Sequence, residues 1–457
     1  MRIIILGTTP ISYTLVESLS KEEHDIVLID TNTQKLRELQ DKYDIQTVEG
    51  YGSYPDILSL AQAQDTELMI AVSDSDEVNM LACQVAYSLF HIPLKMARIR
   101  SKHYLTYPAL FGNEALSIDV IISPEALVTD HITHIIQHPG THQVADFADG
   151  EVQLVHIKLY QDSALLGQTV AVARQTFVPL MAYLVAIYRR GIFIELTDST
   201  LIEQGDEVFC IGHRAQINYV IALCRRIDRD NYAIMIAGGG HIGSRLAEAL
   251  EYRYRVKVIE YDQAVAHRLS TQLNQTLVMY GNASDEELLS SESIDSTDVF
   301  CAMTNDDEAN IISCLQAKRL GAKQAIALIT KSAYIDIIED SQIDVIVSPQ
   351  QATISSILKH IRHGDIVTVH SLRHGNAEAV EMIAHGDHKT SNIVGRELAY
   401  LNKKPGLCVA ALIRNGVLLL PKNDILIESQ DHLILFISDK KRIKDLEQFF
   451  QVKVAFI

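Results

Sequence analysis

Short apolar runs and amphipathic stretches alternate along this chain. Residues 234–237 form a continuous apolar run, short enough for a buried parallel strand. The turn Gly238, Gly239, Gly240, His241, Ile242, Gly243 follows, and then Leu246, Ala249 and Leu250 recur at helical spacing. A second apolar run, 256–259, ends on Glu260. Strand, turn, amphipathic helix and strand predict a βαβ unit.

The opening residues repeat this plan. Gly7 aligns with Gly238 and Asp30 with Glu260. Gly50-Tyr51-Gly52-Ser53 aligns with Gly281-Asn282-Ala283-Ser284, and AVSDSDEVNMLACQVA (71–86) with AMTNDDEANIISCLQA (302–317). IISPEAL (121–127) resembles IVSPQQA (346–352). The chain is a tandem duplication, which has to be recognised before a fold is assigned. Alternating strands and helices predict a parallel sheet with helices on both faces in each copy. A helix follows each copy, over 124–138 and 349–363, and then a strand-rich segment, 152–211 or 366–437. The predicted fold class is therefore α/β, with two tandem Rossmann-like parallel-sheet domains, each followed by a small α+β domain. The domains predicted are 1–140, 141–225, 231–363 and 364–457, with the charged stretch RRIDRDN (225–231) as the hinge between halves.

The glycine turn carries specific chemistry. Gly238 permits the tight turn, Gly240 lets the backbone approach a pyrophosphate, and Gly243 lets the helix pack on the strand. Gly239, His241 and Ile242 complete the turn, and the helix N-terminus offers unpaired N–H groups to phosphate. Glu260 stands where a carboxylate can bond ribose hydroxyls. The strand order should reverse at this turn and open a crevice at the strands' carboxyl ends. Asn282, Ala283, Thr304 and Asn305 reach it in the second copy, and Gly7, Asp30, Tyr51, Ser73 and Asp74 in the first. The acidic starts Asp74, Asp76, Glu77 and Asp306, Asp307, Glu308 suit helix N-termini, as caps and toward the dipole.

Composition narrows the partners. With 40 basic against 58 acidic residues the 457-residue chain carries a net charge of −18, which argues against nucleic acid. The same charge opposes anionic lipid and complements the Lys/Arg-rich cytoplasmic loops of membrane proteins. Six scattered cysteines without a CxxC read as reduced core thiols of a cytosolic protein. MRIIILG is a strand and not a leader, and the most apolar run, 177–188, is too short to span a bilayer. His131, His134 and His138 share a helix face and offer either a zinc site or a packed, wet surface, the latter preferred. His385 and His388 read as surface loop. Tyr400 and Lys404 have the spacing of a dehydrogenase pair but lie outside the nucleotide units and receive no role.

LQDKYD (39–44), SDEVNMLACQVAYSLF (75–90), ARIRS (97–101), NDDEANI (305–311) and VSPQQATIS (347–355) resemble the RCK domain family, which regulates potassium channels and transporters. The resemblance spans essentially the whole chain. It implies a cytoplasmic regulatory subunit, peripheral on the inner membrane, forming a homotetrameric gating ring beneath an integral-membrane potassium channel or transporter subunit. It also implies binding of NAD(H) and of ATP or ADP, with no catalysis. Against the GxGxxG pattern the first turn reads Gly7-Thr8-Thr9-Pro10-Ile11-Ser12. Thr9 is expected to crowd the phosphates, Pro10 lacks an N–H, and Ser12 adds bulk at the helix contact. Arg98 and Arg100 offer either phosphate ligands or structural ion pairs. A nicotinamide-dependent oxidoreductase is the alternative, although no acid/base set flanks the glycine turn; a scaffold with vestigial sites is a third reading.

Overall fold

The computed structural model describes residues 1–20, 24–112, 115–225, 232–338, 341–361, 366–438, 446 and 449–450. Beyond Arg225, the expected hinge lies outside these residues.

One compact unit comprises Met1–Leu127 with Pro349–Ile361. Its parallel strands are β1 (Arg2–Leu6), β2 (Asp25–Asp30), β3 (Gln46–Glu49), β4 (Leu68–Ala71), β5 (Leu94–Arg98) and β6 (Val120–Ile122), in the order β3-β2-β1-β4-β5-β6. The order reverses between β1 and β4, so the strand ends diverge there into a crevice. Runs such as RIIIL and LMIA suit strands covered on both faces. Ile3, Ile5, Ile26 and Leu28 pack under Leu15, Val16 and Leu19 of the helix Pro10–Ser20. Ile4, Leu6, Val27 and Met69 pack under Met80, Cys83 and Ala86 of the helix Asp76–Phe90. The helix Pro349–Ile361 completes the first face with Ile354, Ile357, Leu358 and Ile361. A helix from the second copy thus covers the sheet of the first, a crossing made within one chain.

The other unit comprises Val128–Ser348 with Arg362–Ile457. It opens with an antiparallel sheet of β7 (Gln143–Phe147), β8 (Val152–Lys158), β9 (Ala182–Arg189), β10 (Ile192–Ile194) and β11 (Glu207–His213), ordered β10-β9-β11-β8-β7. The second parallel sheet, β12 (Ala233–Ala237), β13 (Arg255–Glu260), β14 (Leu277–Tyr280), β15 (Val299–Ala302), β16 (Gln324–Leu328) and β17 (Val345–Val347), repeats the first in order, β14-β13-β12-β15-β16-β17. A second antiparallel sheet follows, β18 (Ile366–Leu372), β19 (Ala377–Ile383), β20 (Leu407–Arg414), β21 (Val417–Leu419) and β22 (His432–Ile437), ordered β18-β19-β22-β20-β21. The α/β class with two parallel sheets, each followed in the chain by an antiparallel one, is the fold the sequence predicts. Strand β7 lies before the strand-rich segment expected from 152. All six cysteines are free thiols, five of them buried.

The two antiparallel sheets share one core, in which Tyr188, Val185 and Phe209 meet Ala411, Ile434 and Phe436. The Phe209 and Phe436 rings lie 5.0 Å apart. A cross-strand acid–histidine pair recurs in both sheets with its ends exchanged. His156 on β8 meets Glu207 on β11 at 3.1 Å, whereas Glu381 on β19 meets His432 on β22 at 2.7 Å. Each carboxylate also bonds the opposite sheet, Glu207 to Arg373 Nε at 3.1 Å and Glu381 to the Ala148 N–H at 3.0 Å.

Candidate nucleotide crevices

The second crevice is built on the complete glycine turn. Gly238 lies at φ +98°, and a Cβ there would meet Thr304 Cγ2 at 2.9 Å and Met303 backbone at 3.1 Å. Only glycine combines this conformation with this approach. A Cβ on Gly243 would stand 1.9 Å from the Gly238 carbonyl oxygen, so the helix His241–Leu250 sits directly on the strand end. A Cβ on Gly240 would meet nothing within 4 Å. Gly240 therefore faces open space at the helix N-terminus, whose first amides have no partner within the helix. His241 is exposed beside it and Ile242 half-buried. The Gly239 N–H donates to Glu260 Oε2 at 2.5 Å and the Asp262 N–H to Oε1 at 2.8 Å, which holds the carboxylate at the turn. Gly281 N–H donates to the Glu260 carbonyl at 2.9 Å, bringing Asn282 and Ala283 alongside. Asn282 Oδ1 is occupied by the Ser284 N–H and hydroxyl, and Asn305 is exposed.

In the first crevice Gly7 keeps the turn, at φ +102°, with Ser73 Cα 2.6 Å from where a Cβ would be. Asp30 is more fully engaged than Glu260: the Thr8 N–H and hydroxyl donate to Oδ2 at 2.6 and 2.9 Å, and the Asn32 N–H to Oδ1 at 2.7 Å. Thr9 departs from expectation. Its side chain is buried, and Oγ1 donates to the Val72 carbonyl at 3.0 Å, so it points beneath the turn and not toward the phosphates. Its hydroxyl finds a better partner inside than in the crevice. Ser12 does add the expected bulk, since its hydroxyl donates to the Gly7 carbonyl, whose counterpart in the second copy, the Gly238 carbonyl, Gly243 approaches bare. Tyr51 is exposed, Ser73 half-buried and Asp74 exposed.

Arg98 and Arg100 meet Asp74 from the end of β5: Arg98 Nη1 lies 3.6 Å from Asp74 Oδ1, and Arg100 Nη2 donates to the Asp74 carbonyl at 2.5 Å. Burial and the Arg100 charge together push the Arg98 guanidinium below its ordinary pKa, against the pull of Glu125 and Asp74. Its Nε is buried without a hydrogen-bond partner among the described residues. At the same strand end the second copy carries Leu328 and Thr330.

The acidic helix starts meet the expectation in part, with Asp306 as a cap and Asp76, Glu77, Asp307 and Glu308 in the first helical turns. The caps are Ser75 and Asp306, each accepting from the third residue on. Asp76 and Asp307 turn away from their helices. Asp76 Oδ2 accepts from the Arg100 and Ser101 N–H groups at 3.0 and 2.9 Å, and Asp307 from those of Thr330 and Lys331 at 3.0 and 2.8 Å. Glu77 accepts from Tyr104 at 2.9 Å, and Glu308 from Tyr334. The Tyr334 hydroxyl, the Glu308 N–H and Lys331 hold the Glu308 carboxyl down at about 2.

Asn79 and Asn310 are frame residues that reading the sequence missed. Both are fully buried. Asn310 Oδ1 accepts from the Thr304 N–H at 3.0 Å and hydroxyl at 2.6 Å, and Nδ2 donates to the Thr304 and Leu328 carbonyls at 3.0 and 2.8 Å. Asn79 makes the same four bonds to Ser73 and Arg98. Their signal was persistence, an asparagine kept at one place in both copies where the flanking residues differ.

The histidine face does not converge. His134 Nδ1 lies 3.4 Å from Asp146, and His138 Nδ1 pairs with the His134 carbonyl at 2.8 Å. Among the described residues no group of three or more His, Cys, Asp or Glu side chains could hold a metal. The Tyr400 ring packs under Arg396 at 4.3 Å and Lys404 at 5.5 Å, a structural cluster. No helix among the described residues is long and apolar enough to cross a membrane.

Two parallel sheets with glycine turns at their switch points, each followed by an antiparallel sheet, define a tandem Rossmann-type protein. Residues 3–124 and 234–349 match the model of the TrkA-N domain. The solved structure of the "GsuK channel bound to NAD" shares the fold, with a TM-score of 0.61 and 19% identity, covering 98% of this chain and 78% of that one. The chain belongs to the TrkA family of Trk system potassium uptake proteins. It is 48% identical over 456 residues to the member from Halomonas elongata and 45% identical over 458 to that from Vibrio alginolyticus, covering 100% of this chain and of each relative.

Proposed function

We propose that this protein is a nucleotide-sensing regulatory subunit, cytoplasmic and without chemistry of its own, that gates an integral-membrane Trk-type potassium uptake partner. Its domains are 1–140, 141–225, 231–363 and 364–457, assembled as a homotetrameric ring. The observation that carries the reading is the second crevice. Gly238–Gly243 presents a helix N-terminus and an open Gly240 beside a carboxylate anchored at the turn. That arrangement fits the pyrophosphate and ribose of NAD(H). Asn282, Ala283, Thr304 and Asn305 line the same strand ends. In the first crevice Ser12 and Pro10 weaken the pyrophosphate seat, and Arg98 and Arg100 supply guanidinium groups for the phosphates of ATP or ADP, with Asp30 at the ribose end.

A ligand shifts a ring between conformations only by its differential affinity for them. The crevices act through the frame behind them: Asn79 and Asn310 tie each β4-type loop to the end of the neighbouring strand, so a phosphate held at one is felt at the other. An acidic chain suits the basic cytoplasmic loops of a membrane partner. The test is potassium flux through the partner reconstituted with the full chain, with NADH or ATP titrated in. Nucleotide-dependent flux is expected. Substrate-dependent NADH oxidation, or flux indifferent to both nucleotides, contradicts the reading.

A further inference from the structure

Position 54 breaks a local rule that its counterpart keeps. In the second copy Asp285 caps the helix Glu286–Ser291, its carboxylate accepting from the Glu287 N–H at 2.9 Å. In the first copy Tyr54 stands at the same place before Pro55–Leu60 and makes no side-chain cap bond. Likewise Asn282 closes its own turn through Ser284, whereas the first copy has Tyr51. Giving up a cap costs a helix stability, and such departures concentrate at functional sites.

The two tyrosines are exposed, Tyr51 by 56% and Tyr54 by 53%. Their rings lie 5.3 Å apart at 36°. The loop beneath is seated firmly: a Cβ on Gly50 would meet Ile57 Cδ1 at 2.5 Å, and one on Gly52 would meet Leu6 Cδ1 at 2.3 Å. The Gly50 N–H donates to the Asp30 carbonyl at 2.9 Å, so the loop that bears the pair lies beside the strand end where Asp30 stands. Two aromatic faces held beside a ribose anchor have the chemistry of a base-stacking ledge.

We infer that Tyr51 and Tyr54 form the base-stacking ledge of the first crevice and select an adenine nucleotide there by its ring. The inference rests on the nucleotide reading of this crevice. It explains how affinity survives a weakened pyrophosphate seat, because the base contributes what the turn does not. The probes are ATP and base-free tripolyphosphate, titrated by calorimetry into the full chain and into Tyr51→Ala and Tyr54→Asp. Each variant should weaken ATP about tenfold and leave tripolyphosphate unchanged, while Tyr54→Asp raises the Tm by restoring the cap. ATP affinity unchanged in both variants, or tripolyphosphate weakened as much as ATP, overturns the ledge. An Arg98→Ala/Arg100→Ala variant separates the two levels. If wild-type protein shows no ATP binding that this variant removes, the nucleotide reading of the first crevice falls and the ledge with it.

Discussion

Ser12 and Gly243 hold the same place in two copies of one fold. At Gly243 the helix rests on the Gly238 carbonyl with no room for a methyl group, and at Ser12 a hydroxyl fills the gap. Around them nearly everything else is kept, including the buried asparagine, the loop-binding aspartate and the strand order. The cation side of the crevice moves the other way. Arg98 and Arg100 stand in the first copy where the second has Leu328 and Thr330. Duplication kept the frame and let the two crevices diverge, with a bare glycine turn in one and paired guanidinium groups at the strand end of the other.

The comparison can be broken first at the helix contact. Gly243→Ala should destabilise the second copy by about 3 kcal/mol, because the clash is with backbone that cannot swing away. Denaturant unfolding of the full chain reads it, and Ser12→Ala should show no such loss. Asn79→Ala and Asn310→Ala should cost similar amounts, about 1–3 kcal/mol each, by leaving buried amides and carbonyls unpaired. Clearly unequal costs would show that the frames are not equivalent.

The antiparallel sheets give a pH test. Burial pushes the His142 pKa well below its ordinary value, and nearby His156 adds to this. Burial opposes the charge on Glu207, yet the His156 bond and Arg373 outweigh it and hold its carboxyl at about 2. Both groups bind fewer protons folded than unfolded, so their stability is present above the unfolded pKa and is lost as pH falls. His142 contributes below about pH 6.5, and Glu207 between its ordinary 4.5 and about 2. Each proton gives a slope of at most about 1.4 kcal/mol per pH unit. The Tm should therefore fall from pH 7 to 5, and His142→Gln should flatten that fall; an unchanged slope would contradict the assignment. The smallest effect belongs to Thr9→Val, which should cost about 1 kcal/mol through the lost bond to Val72 and leave ATP binding intact. A large loss of ATP affinity would restore Thr9 to the crevice.

The strands, the glycine turn and the duplication were legible because each is a local pattern of residue types. Gly238 and Gly243 could be read for their places in the fold because only glycine satisfies such a tight turn or close approach. Thr9 could not, since residue type does not say which way a hydroxyl turns, and the Val72 carbonyl that captures it is far along the chain. Asp76 and Asp307 do stand in the first helical turn, as read, but residue type does not reveal that their carboxylates also hold two amides of a loop distant in sequence. The exchanged His156–Glu207 and Glu381–His432 pairs depend on strand register, which residue pattern does not encode. Strand β7 was missed because QVADF carries a charge and little apolar alternation.

The central claim is that the two crevices now bind differently, and NADH calorimetry on three full-length proteins tests it most directly. Gly240→Ala is a clean probe, because the added methyl touches no protein atom within 4 Å and stands only in the space assigned to the ligand. It should weaken NADH more than about tenfold with the fold intact, while Asp30→Ala leaves NADH binding near wild type. Loss of NADH binding in Asp30→Ala with Gly240→Ala unaffected would place the dinucleotide in the first crevice and contradict the account.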